Sequence, residues 1–219
     1  MNGYFVTGSD TGVGKTLVAC ALLHLLARRG VDAVGMKPVA AGADADGRNA
    51  DVEALLAAGA AAPRRLVNPY SFAAAVAPHL AAAGEGREIR FAPILEACAE
   101  LRRDHDVVIV EGIGGLLVPL GPDGDAADLA RAMGLPLLLV VGLRLGCLNH
   151  ALLSAEAIAA RGLTLAGWVA NAIDPAMALV EANIATLEAR LAAPLLGVLP
   201  HLAPPDAVRA AGLLRLPAA

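Results

Sequence analysis

The chain has 219 residues, a formal net charge of −4, 57% hydrophobic residues and only 3% aromatic ones. The acidic balance, with no basic cluster, excludes a nucleic-acid surface. The apolar runs, such as 132–143 between Arg131 and Arg144, fall short of the ~20 residues of a membrane-spanning helix.

The core must therefore be built from Leu, Val and Ala, which suits strands buried on both faces and helices packed closely on them. Residues 4–7 form a short β-prone run that turns through Gly8, Gly12 and Gly14 into Lys15-Thr16 and a helical pattern from Leu17 to Arg29. This strand–loop–helix context marks a phosphate-binding loop. Successive backbone N–H groups point at one anion there, and the helix adds its positive end. Lys15 is expected to reach the terminal phosphates, and the Thr16 hydroxyl to hold Mg²⁺. Five residues separate Gly8 from Gly14 where the strict motif has four, and Ser9 stands in place of the first glycine. The spacing points to a subfamily of P-loop proteins; the competing reading is a glycine-rich turn with a chance Gly-Lys-Thr.

Gly30 ends the helix, and 31–36 reads as a second strand leading into Lys37-Pro38-Val39-Ala40-Ala41-Gly42. A lysine at the carboxyl end of a parallel strand lies where α/β sheets bind ligands; the plain alternative is a solvated strand-end lysine. Lys15 and Lys37 are the only lysines, against fifteen arginines, and both fall at strand-to-loop junctions. Residues 49–53 open an alanine-rich helix, in which Asp51 is either a cap or a metal-bound carboxylate. Residues 68–79 read as a compact turn walling the pocket, and His79 as a packed or surface histidine.

An amphipathic helix is expected over 93–103, then an apolar strand over 106–110 ending in Glu111-Gly112-Ile113-Gly114-Gly115. In P-loop proteins a carboxylate at such a strand end sits beside the phosphate loop and reaches Mg²⁺. A helix over 125–133 and a strand over 135–141 follow. The turn 142–150 then opens a helix to Arg161. It is either an anion site or a plain connection capped by Asn149. Residues 163–170 form a further strand, and Asn171 after it either caps the next element or reads a base edge. A last strand over 194–199, Pro200-His201-Leu202 and a proline-rich tail close the chain. Strands alternate with helices throughout, so the fold class is α/β: a three-layer, P-loop NTPase-like fold with a mostly parallel sheet and helices on both faces. No repeat or linker breaks it, so residues 1–219 are expected to form a single domain.

The combination of 8–16, Lys37-Pro38-Val39, Val110 to Gly115, Leu145-Gly146-Cys147-Leu148-Asn149-His150 and Gly167-Trp168-Val169-Ala170-Asn171 resembles the dethiobiotin synthetase family, in the same order through nearly the whole chain. The resemblance implies an ATP-dependent cyclo-ligase of biotin synthesis acting on 7,8-diaminononanoate and CO₂. One amine becomes a carbamate, which attacks the γ-phosphate of MgATP; the second amine then closes the ureido ring and releases phosphate. It implies Lys37, Lys15 and Thr11 as catalytic residues, and Thr16, Asp51 and Glu111 as Mg²⁺ ligands. ATP would be held by Gly12, Val13, Gly14, Lys15, Thr16, Leu17, Asp51, Glu111, Gly112, Ile113 and Gly114. Asn171, Ala172, Pro200, His201, Leu202 and Asp206 would surround the nucleoside. Ala41, Gly146, Cys147 and Asn149 would meet the organic substrate, in a homodimer with sites at the subunit interface. Ala41 departs from the family pattern, which has a hydroxyl there; its loss removes about 1 kcal/mol of hydrogen bonding.

The nearest enzymatic rival, an amidating ligase of the cobyrinic acid diamide synthase kind, needs a glutaminase domain for which the chain is too short. A ParA/MinD-like ATPase switch usually has a further lysine at the start of the loop, where this chain has Ser9 and Asp10. Cys20, Cys98 and Cys147 are widely spaced and suit a reducing compartment. No signal-peptide pattern opens the sequence, so a cytoplasmic protein is expected, with no membrane or nucleic-acid partner.

Overall fold

A computed structural model describes residues 3–217. The first elements are β1 (Gly3–Gly8), α1 (Lys15–Ala27), β2 (Ala33–Met36), β3 (Val39–Ala41), α2 (Ala50–Ala58), α3 (Arg64–Val67), β4 (Tyr70–Phe72) and α4 (Pro78–Gly84). Then come α5 (Phe91–Asp104), β5 (Val107–Gly115), β6 (Pro119–Gly121), β7 (Gly124–Asp125), α6 (Ala126–Met133) and β8 (Leu137–Leu143). The chain continues through α7 (Cys147–Ala160), β9 (Leu165–Ala172), α8 (Val180–Arg190), β10 (Leu195–Leu199) and α9 (Ala207–Ala211). Six strands form the main sheet in the order β10-β9-β8-β1-β5-β2, and every neighbouring pair is parallel.

The composition explains this sheet. All seven residues of β8 are buried, and successive side chains of a strand point to opposite faces. Leu138 and Val140 pack with Val18, Ala19 and Leu22 of α1, with Leu55 of α2 and with Ala210 and Ala211 of α9. Leu139, Val141 and Leu143 pack the other way, with Cys147 and Ala151 of α7 and Ile184 and Leu187 of α8. Near the other edge, Val108, Val110 and Phe5 meet Ile94, Cys98 and Leu101 of α5 and Leu129 and Met133 of α6. The result is the expected α/β arrangement of helices on both faces of a parallel sheet.

Several expectations need correction. The glycine-rich stretch after Val110 is not a loop: β5 continues to Gly115, pairing Glu111 with Val6 of the central strand β1 and, beyond a register shift, Gly115 with Gly8. Asn171 lies inside β9, paired with Leu199. Residues 70–72, read as part of a turn, form β4, which pairs in parallel with β3. Helix α8 gave no clear signal, since its buried contribution is only Ile184 and Leu187. The proline-rich tail contains α9, capped by the Asp206 side chain, which accepts a hydrogen bond from the Arg209 N–H at 2.9 Å. The cap of α2 is Asn49, which accepts from the Asp51 and Val52 N–H groups, so Asp51 is free for other work. The cap of α7 is Gly146, which places Asn149 within the helix rather than ahead of it.

Candidate active site

The phosphate loop leaves the carboxyl end of β1, at the middle of the sheet. Gly14 is held at φ +92° in the left-handed region, and a Cβ there would lie 2.2 Å from the Asn171 Nδ2 atom. That same amide donates to the Val13 carbonyl at 2.8 Å, fixing the loop to β9. No side chain caps α1, so the first N–H groups of the helix have no side-chain oxygen occupying them, the arrangement that receives an anion. Lys15 is buried, and its ammonium donates to the Asp10 carbonyl at 3.1 Å. Burial, with the like charge of Lys37 behind it, lowers its pKa to about 8.

Behind Lys15 lies a cluster drawn from four elements. Lys37 follows β2, Asp51 opens α2, Glu111 comes from β5, and Thr16 from α1. The Lys37 Nζ lies 2.5 Å from Glu111 Oε1 and 2.9 Å from Asp51 Oδ2, and also donates to the Gly112 carbonyl at 3.2 Å. Burial opposes a charge on Lys37, but the Glu111 and Asp51 carboxylates outweigh it and hold the ammonium above the ordinary lysine value. Burial likewise opposes the Asp51 carboxylate, yet Lys37 and the Thr16 hydroxyl keep it below the usual range. Glu111 is pushed up by its burial, against the pull of Lys37.

Two observations test whether a divalent cation fits here. The Thr16 hydroxyl lies 2.8 Å from Asp51 Oδ1 and 2.9 Å from Glu111 Oε1, but one hydroxyl proton serves one acceptor at a time. The second oxygen of Glu111 is buried with no hydrogen-bond partner. An orphaned carboxylate oxygen beside a shared hydroxyl is a donor set with unused lone pairs, and it suits a hard cation. Among the described residues, no group of three or more His, Cys, Asp or Glu gathers anywhere. Mg²⁺, which keeps waters and takes few protein ligands, fits such a sparse set.

A cleft of about 700 Å³ opens over this cluster. It brings together Thr11, Gly12, Gly14, Lys15, Thr16, Lys37, Ala41, Asp51, Glu111, Ile113 and Gly114. Val13 is buried beneath the loop, Leu17 is half-buried in the core behind it, and Gly112 lies below the cleft floor. The opposite wall is Ala75-Val76-Ala77 with Val118. These lining residues carry no reactive group; Ala75, Val76 and Ala77 lie in the 68–79 segment expected to wall the pocket, and Val118 gave no signal. His79 is half-buried, and its ring lies 3.2 Å from the Pro119 carbonyl.

The remaining anticipated residues lie at two other places along the carboxyl edge of the sheet. Asn171 and Ala172 end β9 beside Pro200-His201-Leu202 after β10, with the His201 ring 3.3 Å from the Ala172 carbonyl. Asp206 is exposed and already caps α9. At the start of α7, Gly146 is at φ +97° and Asn149 is exposed. The Cys147 side chain is buried in the core and its N–H donates to the Arg144 carbonyl. Arg144 and Asp10, whose side chains pair across the loop, were not singled out from the sequence. They are 134 positions apart, and nothing local signals the contact.

Comparison with known proteins follows the same lines. A family profile described as an AAA domain matches residues 2–209. A relative from Aromatoleum aromaticum, described as ATP-dependent dethiobiotin synthetase BioD, is 56% identical over 98% of this chain and 97% of its own length. Proteins of the same description from Nitrosospira multiformis and Xylella fastidiosa are 55% and 52% identical, over 91% and 93% of this chain and 88% and 92% of theirs. Among solved structures, the MinC:MinD cell division complex of Aquifex aeolicus aligns with a TM-score of 0.57 at 16% identity, over 92% of this chain and 82% of that one. The signal recognition particle receptor FtsY of Elizabethkingia anophelis in complex with GDP gives 0.53 at 19% identity, over 90% of this chain and 56% of that one. At such identities these two structures speak to the fold alone.

Proposed function

The chain belongs to the ATP-dependent dethiobiotin synthetases, and from that premise we propose how its residues share the work of closing a ureido ring on 7,8-diaminononanoate with CO₂ and MgATP. It is a ligase that spends ATP. The observation that carries the residue-level reading is the single cleft in which Lys15, Lys37, Thr16, Asp51 and Glu111 meet the phosphate loop.

The amides of Gly12 to Thr16 and the Lys15 ammonium hold the nucleotide phosphates. Thr11, at the mouth of the loop, contacts the reactants. Thr16, Asp51 and Glu111 hold Mg²⁺, which when bound supplies positive charge at the transferring phosphoryl group. Lys37 stays protonated and faces the developing charge as the carbamate oxygen bonds to the γ-phosphorus and ADP leaves. Both reactants are anions, and a fixed cation aimed at the point where they meet is worth a few kcal/mol in a preorganised site. The second amine then attacks the carbamoyl carbon, the C–O bond to phosphate breaks, and the ring closes with loss of its proton. Ala41 lines the cleft without a hydroxyl, and the adjoining Ala75-Val76-Ala77 wall receives the aliphatic part of the substrate. Asn171, Ala172, Pro200, His201, Leu202 and Asp206 take the nucleoside, next to the loop that Asn171 already braces. Gly146, Cys147 and Asn149 meet the substrate carboxylate across a homodimer interface. The Cys147 side chain is buried and its N–H already donates to the Arg144 carbonyl, so Cys147 contributes there by shaping the turn.

We further propose that residues 1–219 work as one ligase domain in the cytoplasm. Among the described residues no helix is long and apolar enough to cross a membrane. The deciding experiment follows ADP release by the purified protein. ADP is expected only when the diamine, CO₂ and MgATP are all present. Steady hydrolysis stimulated by DNA or lipid, indifferent to the diamine, would favour a ParA/MinD-like switch instead.

A further inference from the structure

The phosphate loop carries a carboxylate that the proposed chemistry leaves unused. Asp10 lies between Gly8 and Gly12, and its Oδ1 accepts the Thr11 N–H at 2.7 Å. Its backbone carbonyl holds the Lys15 ammonium at 3.1 Å. A fixed negative charge at the mouth of a loop built for an anion repels that anion. The second Asp10 oxygen is paired with the Arg144 guanidinium, which arrives from the turn between β8 and α7. The His150 ring on α7 lies 3.9 Å from the same oxygen. Among the described residues, Asp10 is the only group to which the Arg144 side chain donates.

We infer that Arg144 is a positioning residue, which neutralises Asp10 and pins the phosphate loop to the turn ahead of α7. The loop then offers amides and Lys15 to an incoming nucleotide instead of a bare carboxylate. The same contact sets the resting place of Lys15, because the residue that Arg144 clamps is the one whose carbonyl holds the ammonium. It also ties the phosphate loop to the start of α7, so that these two parts of the carboxyl edge move together. This rests on the reading of the loop as a nucleotide site.

Both side chains are about two-fifths exposed, so replacing either opens no cavity. The test titrates the full chain with MgADP in a calorimeter for the wild type, Arg144→Ala, Arg144→Lys and the double variant Arg144→Ala with Asp10→Asn. Arg144→Ala is expected to weaken MgADP about five-fold, the scale of one half-exposed charge contact, and more steeply at low salt. Arg144→Lys should bind nearly as the wild type does, and the double variant should regain most of the loss. Turnover at saturating nucleotide should stay within about two-fold, so the effect falls on KM rather than kcat. Unchanged binding by Arg144→Ala overturns the inference while leaving the nucleotide site intact. An equal loss in the double variant also overturns it, because Arg144 would then act on something other than Asp10. A wild type that does not bind MgADP removes the nucleotide reading itself, and the inference with it.

Discussion

Lys37 and Glu111 form an ion pair of 2.5 Å in which both side chains are shut away from water. Removing one partner from such a pair strands the other charge in the interior. Lys37→Gln is therefore expected to lower turnover by about 10²- to 10³-fold, the range for losing one aimed cation in a preorganised site. MgADP affinity should change far less, because Lys15 and the loop amides remain. A parallel measurement of turnover and MgADP binding checks this, and near-normal turnover would remove Lys37 from the chemistry.

Glu111→Gln keeps the shape and one hydrogen bond but removes the charge offered by the orphaned oxygen. The Mg²⁺ concentration for half-maximal activity is expected to rise by about ten-fold or more, in line with the loss of a hard anionic ligand. A metal titration that superimposes on the wild type would exclude Glu111 as a ligand. Asp51→Asn should shift the same curve by less, since Asp51 is partly exposed to solvent.

The pH dependence of nucleotide affinity should report Lys15. Its folded-state pKa is lowered to about 8, and a bound phosphate favours the charged ammonium. The pKa therefore rises on binding, and affinity depends on how much of the free protein is already protonated. MgADP affinity should be level below about pH 8 and fall above it, by up to about ten-fold per pH unit. Lys37 is held above the ordinary lysine value, so it does not titrate in that window. Lys15→Gln should bind more weakly and give a flat profile between pH 7 and 9; a flat wild-type profile would contradict the assignment.

Gly14→Ala combines two faults: a left-handed backbone and a methyl group 2.2 Å from the Asn171 amide. The backbone term alone costs about 1–3 kcal/mol. The variant is expected to unfold at a lower temperature and to lose measurable MgADP binding. Asn171→Ala in the same chain removes the collision but not the backbone strain, so it should recover only part of the stability. Full recovery in calorimetry would show that the collision alone was responsible.

The parts of the site that were legible in the sequence were those whose chemistry is local. Gly14-Lys15-Thr16 announces itself by spacing, and Glu111 by standing after an unbroken apolar run. Lys37 stood out because the chain has so few lysines. Asp51 remained open between cap and ligand until Asn49 was seen to hold the capping position. What was not legible depends on register and on distance along the chain. Pairing with β1 carries β5 on from Glu111 to Gly115 across a register shift, with Gly114 at φ +62°, and no sequence pattern encodes that pairing. Helix α8 buries two residues and is otherwise solvated, so its periodicity was too thin to read. Val118 is simply apolar and carries no local signal, whereas Ala75, Val76 and Ala77 fall inside the 68–79 turn expected to wall the pocket, and they do line the cleft.

Lys15, Lys37, Asp51 and Glu111 hold two positive and two negative charges in one enclosure. Their formal charges cancel, so the side chains alone make no electropositive trap. The pull on a phosphate then comes from the backbone, through the uncapped first turn of α1, and from the cation that the nucleotide carries with it. Attraction for a nucleotide thus rests on oriented peptide dipoles more than on any excess of side-chain charge.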